Sequence, residues 1–120
     1  MSSGDASSGP ITNNDLLALA VFITASTEEE ANRLADDLVE SRLAACVQIL
    51  PEMKSTYVWQ GKVEHQNEIL LIAKTTRERF EELERRVREL HSYDTPEIVA
   101  VPMTQISEPY LNWLVANVRG

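Results

Sequence analysis

A chain of 120 residues, 43% hydrophobic and 25% charged, suits one small globular domain. Nineteen acidic against eleven basic residues leave a formal net charge of -8, which argues against nucleic acid, because phosphate binding needs clustered Lys and Arg. A single cysteine, Cys46, can form no internal disulfide, and no CxxC or CxxxH spacing offers a zinc site, so the chain reads as intracellular.

The opening "MSSGDASSGP" is rich in Ser and Gly, and residues 1–14 read as a flexible tail ahead of one domain over residues 15–120. The apolar run Leu16 to Ala25 lacks a preceding basic region. It is also far shorter than the roughly 20 residues of a membrane helix. It therefore reads as a central strand, covered on both faces or on one face plus a neighbouring subunit. A helix follows from Thr27, where Thr27 and Glu30 have capping-box spacing and Glu28 and Glu29 favour the positive end of the dipole. Ala31, Leu34, Ala35, Leu38 and Val39 form its apolar stripe, and the acidic residues around them read as a solvated face.

Two β-rich segments, Ala44 to Trp59 and Lys62 to Thr75, flank Gln60-Gly61 and predict a hairpin. Its arms are long against an average strand of about 5–6 residues, and Pro51 predicts a break in the first arm. The hairpin should project past the core and leave Tyr57, Val58 and Trp59 poorly covered in a monomer. A second helix starts near Thr75 or Thr76, with Thr75 and Glu78 as a further capping box. Phe80, Leu83, Val87 and Leu90 mark its stripe, and it ends at His91. A last strand within "PEIVAVPMTQI" carries Pro102, an edge or bulge signal, and Ser107-Glu108-Pro109 opens a short closing helix. The order is β-α-β-β-α-β with an extra C-terminal helix: an α+β, ferredoxin-like arrangement with both long helices on one face of an antiparallel sheet.

Enzyme templates fit poorly, with no phosphate loop and no G-x-S-x-G elbow. A Cys46–His91 nucleophile pair is one reading, but a cysteine inside the strand run Ala44-Ala45-Cys46-Val47 is more often an inert core residue. Cys46, His65 and His91 suit copper or zinc by chemistry, yet show no local ligand spacing. His65 reads as a surface residue. His91, at a helix C-terminus, also has a structural explanation in the helix dipole.

The blocks "AACVQILP", "STYVWQGKVE", "LLIAKTT", "LHSYDTPEIVAVP" and "YLNWL" together resemble the CutA family of divalent-cation-tolerance proteins, over about Ala20 to Val118. Cys46 matches the family's A-x-C position. Tyr57, Trp59, Gly61 and Lys62 match its Y-x-W-x-G-K tip, Lys74-Thr75 its K-T strand end, and His91, Tyr93, Pro96 and Glu97 its H-P-Y-x-x-P-E block. Ser92 stands where the family usually has proline. Ile23 and Leu90 stand where some copper-associated members carry cysteine and histidine, which leaves His91 as the survivor of such a site.

The resemblance implies a cytoplasmic or organellar homotrimer without enzymatic activity, linked to tolerance of copper and other divalent metals. The cytoplasm is the compartment expected here. A copper or other divalent cation, not required for folding, would be held by His91 with Cys46, Glu97 and Asp94 in an intersubunit cleft. Tyr93 would form a wall of that cleft, with His91 at least partly accessible, and Tyr57, Val58 and Trp59 would lie at the trimer interface. Two alternatives remain open. One is a regulatory trimer, like the PII signalling proteins, binding a small anion or metabolite through Lys62, Lys74 and His91. The other is a scaffold for protein assembly.

Overall fold

The computed structural model describes residues 17–118, so the tail expected over residues 1–14 lies outside the described residues. The elements are β1 (Ala18–Ala25), α1 (Glu28–Glu40), β2 (Cys46–Ile49), β3 (Met53–Trp59), β4 (Lys62–Thr76), α2 (Arg77–Leu90), β5 (Ile98–Pro102) and α3 (Glu108–Val118). This is the expected ferredoxin-like order, with the first hairpin arm split into β2 and β3. The strands lie in the order β2-β4-β1-β5, and β3 continues along β4. β1 is central, running antiparallel to β4 from Ala18↔Thr76 to Ala25↔Ile69 and to β5 from Leu19↔Pro102 to Ile23↔Ile98. Among the described residues β5 pairs with β1 alone, the edge position that Pro102 predicts.

Period-two and period-3.6 patterns meet in one core. Leu19, Val21, Ile23 and Ala25 of β1 join Ile69, Leu71 and Ala73 of β4 on the face covered by both long helices. The helices supply Ala31, Leu34 and Leu38 from α1 and Leu83 and Val87 from α2. Val39, expected in the α1 stripe, is 41% exposed, so the stripe is narrower than the spacing indicated. The N-terminus of α1 forms as predicted on one side, with the Glu30 N–H donating to the Thr27 hydroxyl at 3.1 Å. Its C-terminus closes with Leu43 N–H on Leu38 O and Arg42 N–H on Val39 O, while Arg42 takes a left-handed φ of 61°.

The capping box expected at α2 does not form. Thr76 is the N-cap and makes no side-chain capping bond, whereas Thr75 is still part of β4. The Thr75 hydroxyl is buried and donates to Leu43 O at 2.7 Å, satisfying the chain that leaves α1. Strand pairing therefore takes Thr75 out of reach of the helix.

The second face of the sheet is only partly covered. α3 packs Leu114 and Val118 against Ala18 and Ala45 at one end. Farther along, Phe22 lies between its partners Ile72 and Val99, with Val99 50% and Val101 42% exposed. β1 thus packs one face against both long helices and leaves the other partly bare.

The hairpin projects as its length requires. Residues Ile69 to Thr76 of β4 pair with β1, but Lys62 to Glu68 pair only with β3, and the molecule extends 46 × 27 × 26 Å. Pro51 falls in the break between β2 and β3, where no ladder bond is needed from it. Gln60 and Gly61 both have positive φ, 52° and 79°, as a type I′ turn requires. Gly61 adopts this without penalty, whereas Gln60 carries a Cβ into the left-handed region. Asparagine tolerates that region better, so Gln60→Asn is expected to stabilise the fold by up to about 1 kcal/mol, read as a higher urea midpoint at unchanged slope.

Candidate functional site

The connector after α2 is held by buried polar contacts. His91 caps the helix with its N–H on Val87 O, and its extended backbone turns the chain away. Its Nε2 lies 2.6 Å from Thr24 O, which can only accept, so Nε2 carries the proton. Its Nδ1 lies 3.0 Å from the Tyr93 N–H, which can only donate, so Nδ1 bears the lone pair. The His91 side chain is 0% exposed, and its ring sits 4.7 Å from that of Tyr93. The expectation of an accessible His91 lining a cleft is corrected here. The ring lies behind Tyr93, and both nitrogens are already engaged with backbone.

Glu30 anchors the next residue. Its Oε2 accepts the Ser92 N–H at 2.8 Å, and its Oε1 accepts both the N–H and the hydroxyl of Ser26 at 3.1 Å. At 3% exposure this carboxylate belongs to the interior rather than to the solvated face of α1. The reciprocal half of the predicted capping box goes to Ser26 instead of Thr27, because the side chain turns inward to meet Ser92. Burial pushes the Glu30 carboxyl up, but the donors of Ser26 and Ser92 hold it below the ordinary carboxylate range.

A carboxyl depressed in the folded state contributes stability that is present above its unfolded pKa and lost as pH falls through the folded one. Glu30→Gln turns an amide NH₂ toward backbone donors and is expected to cost about 2–3 kcal/mol at pH 7. The gap from the unchanged protein should narrow below about pH 4. Urea unfolding at both pH values reads this directly.

Outside the buried ring lies a cleft of about 550 Å³ between the projecting hairpin and the connector. The hairpin contributes Tyr57, Trp59, Gln66 and Glu68, and the connector contributes Tyr93, Asp94 and Glu97. Hydroxyls of Thr24, Ser55, Thr56 and Thr95 add to its lining. A polar relay joins the two walls. The Tyr57 hydroxyl donates to Gln66 Oε1 at 2.7 Å, Gln66 Nε2 donates to the Tyr93 oxygen at 2.8 Å, and the Tyr93 hydroxyl donates to Glu68 Oε2 at 2.9 Å. Burial and the adjoining Glu68 carboxylate push the Tyr93 hydroxyl up to about 12.

Five of the residues singled out from the sequence meet at this cleft: Tyr93, Asp94, Glu97, Tyr57 and Trp59. Val58 alternates to the other side of the strand and is 69% exposed. Lys62 pairs with Trp59 at the exposed hairpin turn, outside the lining. Cys46 and Lys74 lie opposite each other on β2 and β4, six residues from Glu68 and so about 20 Å along the strand. Cys46 Sγ is 3.5 Å from the Tyr110 hydroxyl, and Lys74 Nζ bonds Gln48 Oε1 at 3.1 Å. The bond to Cys46, then burial, push the Tyr110 hydroxyl up to about 12.

Of the proposed metal ligands, one chain therefore brings Asp94 and Glu97 to the cleft, buries His91 behind it and places Cys46 elsewhere. Among the described residues no three His, Cys, Asp or Glu side chains are grouped to hold a metal. These residues do not fit a closed metal site within one chain. Residue reading missed Glu68, Gln66 and Thr24. The available signal was Glu68 itself, a charge placed directly before the apolar run Ile69–Ala73 in a long strand.

Two of the three tyrosines, Tyr93 and Tyr110, are expected to resist ionisation until about pH 12. Absorbance titration should show this, and Tyr93→Phe should remove one late step.

A ferredoxin-like α+β domain with a projecting hairpin, whose aromatic wall faces an acidic connector, defines the class of protein. The pattern of the family described as "CutA1 divalent ion tolerance protein" matches residues 19–117, and the chain belongs to that family. It is 50% identical over 97 residues to the divalent-cation tolerance protein CutA of Thermus thermophilus, covering 81% of this chain and 94% of that one. It is 41% identical to the chloroplastic protein CutA of Arabidopsis thaliana, covering 86% of this chain but 57% of that protein. The solved structure of the Thermus thermophilus protein superposes with a TM-score of 0.84 at 47% identity, covering 86% of this chain and all of that one. CutA1 from Oryza sativa superposes with a TM-score of 0.85 at 37% identity, covering 88% and 97%.

Proposed function

We propose that this chain serves tolerance of divalent metal ions, copper among them, by cation binding or signalling rather than by turnover. The sign of charge in the cleft carries this reading. Glu68, Asp94 and Glu97 line it, and among the described residues no Lys or Arg does. The net charge of -8 adds a field that gathers cations. An anionic metabolite has less support, since Lys62, Lys74 and His91 all lie outside the lining. A copper site using His91 and Cys46 beside Asp94 and Glu97 would need rearrangement of the connector and ligands from more than one chain.

The working form we propose is a cytoplasmic homotrimer. Among the described residues no helix is long and apolar enough to cross a membrane. The half-bare sheet face around Phe22, Val99 and Val101 and the exposed Val58 and Trp59 favour association, and cyclic closure leaves no edge to propagate. Light scattering at micromolar concentration should give three times the 13.5 kDa chain mass, and a stable monomer would contradict it. Burial of a large apolar side chain is worth about 1.5–3 kcal/mol, so Trp59→Ala should loosen assembly more than it disturbs the individual fold. In a Cu(II) calorimetric titration, changing Asp94 and Glu97 together to amides should weaken uptake about tenfold, roughly 1.4 kcal/mol. Unchanged uptake would remove the cleft from the metal's path.

A further inference from the structure

We propose that the cleft between the hairpin and the connector binds a small organic ammonium ion, a primary amine on a short alkyl stem. At about 550 Å³ the cleft has the size of an ordinary small-molecule site. In one chain its walls combine the rings of Tyr57, Trp59 and Tyr93 with the carboxylates of Glu68, Asp94 and Glu97, and in the trimer proposed above the neighbour that meets Trp59 would border it. Ring faces cover the ammonium ion's methylenes and attract its charge, while carboxylates receive its N–H groups.

Glu68 makes the argument specific. It is 7% exposed, and its Oε2 accepts the Tyr93 hydroxyl. Its Oε1 accepts no hydrogen bond among the described residues, although the side chain lines the cleft. That oxygen is an acceptor left open to a ligand in the cleft. An ammonium group brings both the charge and three donors. The relay through Tyr93 and Gln66 fixes the other oxygen, leaving Oε1 for the ligand.

Competing ligands fit less well. A bare divalent ion needs several oxygens converging at about 2.0–2.6 Å, and no three acidic, His or Cys side chains are so grouped among the described residues. Aromatic faces offer such a strongly hydrated ion little. An anion would meet the carboxylates with no cationic side chain in the described lining. The inference does not rest on the metal reading, which stands or falls separately on Cu(II) uptake.

The test is calorimetric titration of the full chain in its native assembly with cadaverine (1,5-diaminopentane), at constant ionic strength, followed in parallel by the fluorescence of a Trp113→Phe variant, which leaves Trp59 as the one tryptophan. One saturable site per chain is expected, with 1-pentanol failing to compete. Glu68→Gln should weaken binding at least tenfold, and because that change is buried, Glu97→Gln on the exposed connector provides a second variant, expected to weaken it several-fold in a folded protein. Absence of saturable binding at millimolar cadaverine, or equal binding of 1-pentanol, would overturn the proposal. So would tighter binding of N-acetyl-lysine methylamide, which would identify a lysine side chain of a peptide as the occupant in place of a free amine.

Discussion

A buried imidazole that commits both nitrogens to backbone fixes the position of the connector, and the cleft is built against that connector. His91 Nε2 holds the end of β1 through Thr24 O, and His91 Nδ1 receives the Tyr93 N–H. Glu30 completes the clamp by taking the Ser92 N–H with one oxygen and Ser26 with the other. The β1–α1 junction and the exit from α2, distant in sequence, are thereby tied at one point. Each contact lies in a shielded environment, where leaving a polar group unpaired costs more than forming the bond gains. Ser92 has a definite part in this. A proline there, usual in the family this chain resembles, would have no N–H for Glu30, so the serine exchanges ring stiffness for a charge-assisted bond.

The clamp has an outward consequence. With its N–H held by His91, Tyr93 presents its hydroxyl to Glu68 and Gln66, and the relay continues to Tyr57 on the hairpin. Two walls that share little apolar packing are thus joined by directional bonds. The hairpin beyond Glu68 pairs with β3 but not with β1, so these bonds are its main attachment near the cleft. Between them the two walls carry the carboxylates of Glu68, Asp94 and Glu97 and the rings of Tyr57, Trp59 and Tyr93.

Much of the architecture was legible because it follows periodicity and turn chemistry. Alternation along Leu19, Val21, Ile23 and Ala25, the helical stripe through Leu34 and Leu38, the break at Pro51 and the turn at Gln60-Gly61 all express short-range rules. The site was legible only in part. Tyr93, Asp94 and Glu97 were assigned to one cleft by motif resemblance, which carries spatial information that spacing does not, whereas Tyr57 and Trp59 were expected at a subunit interface and not in that cleft. His91 was misjudged because a histidine after a helix has the same appearance in sequence whether its ring faces solvent or a carbonyl such as Thr24 O. Glu30 was misjudged for a related reason: an acidic residue in a first helical turn reads as solvated unless its long-range partner, Ser92, is known. Glu68 and Gln66 belong to a strand whose outer half has no neighbour but β3, and sequence pattern does not encode which loop folds across it.

The most direct measurement is nitrogen-15 NMR of the His91 ring in the intact protein at neutral pH, with and without one equivalent of the diamagnetic Zn(II). The structure requires a single tautomer, with the proton on Nε2 slow to exchange and Nδ1 unprotonated, and with that protonation pattern unchanged by the metal. A ring that exchanges between tautomers, or whose Nδ1 signal moves stoichiometrically to a metal-bound position on adding Zn(II), would contradict the assignment of His91 as the clamp and restore it as an open ligand.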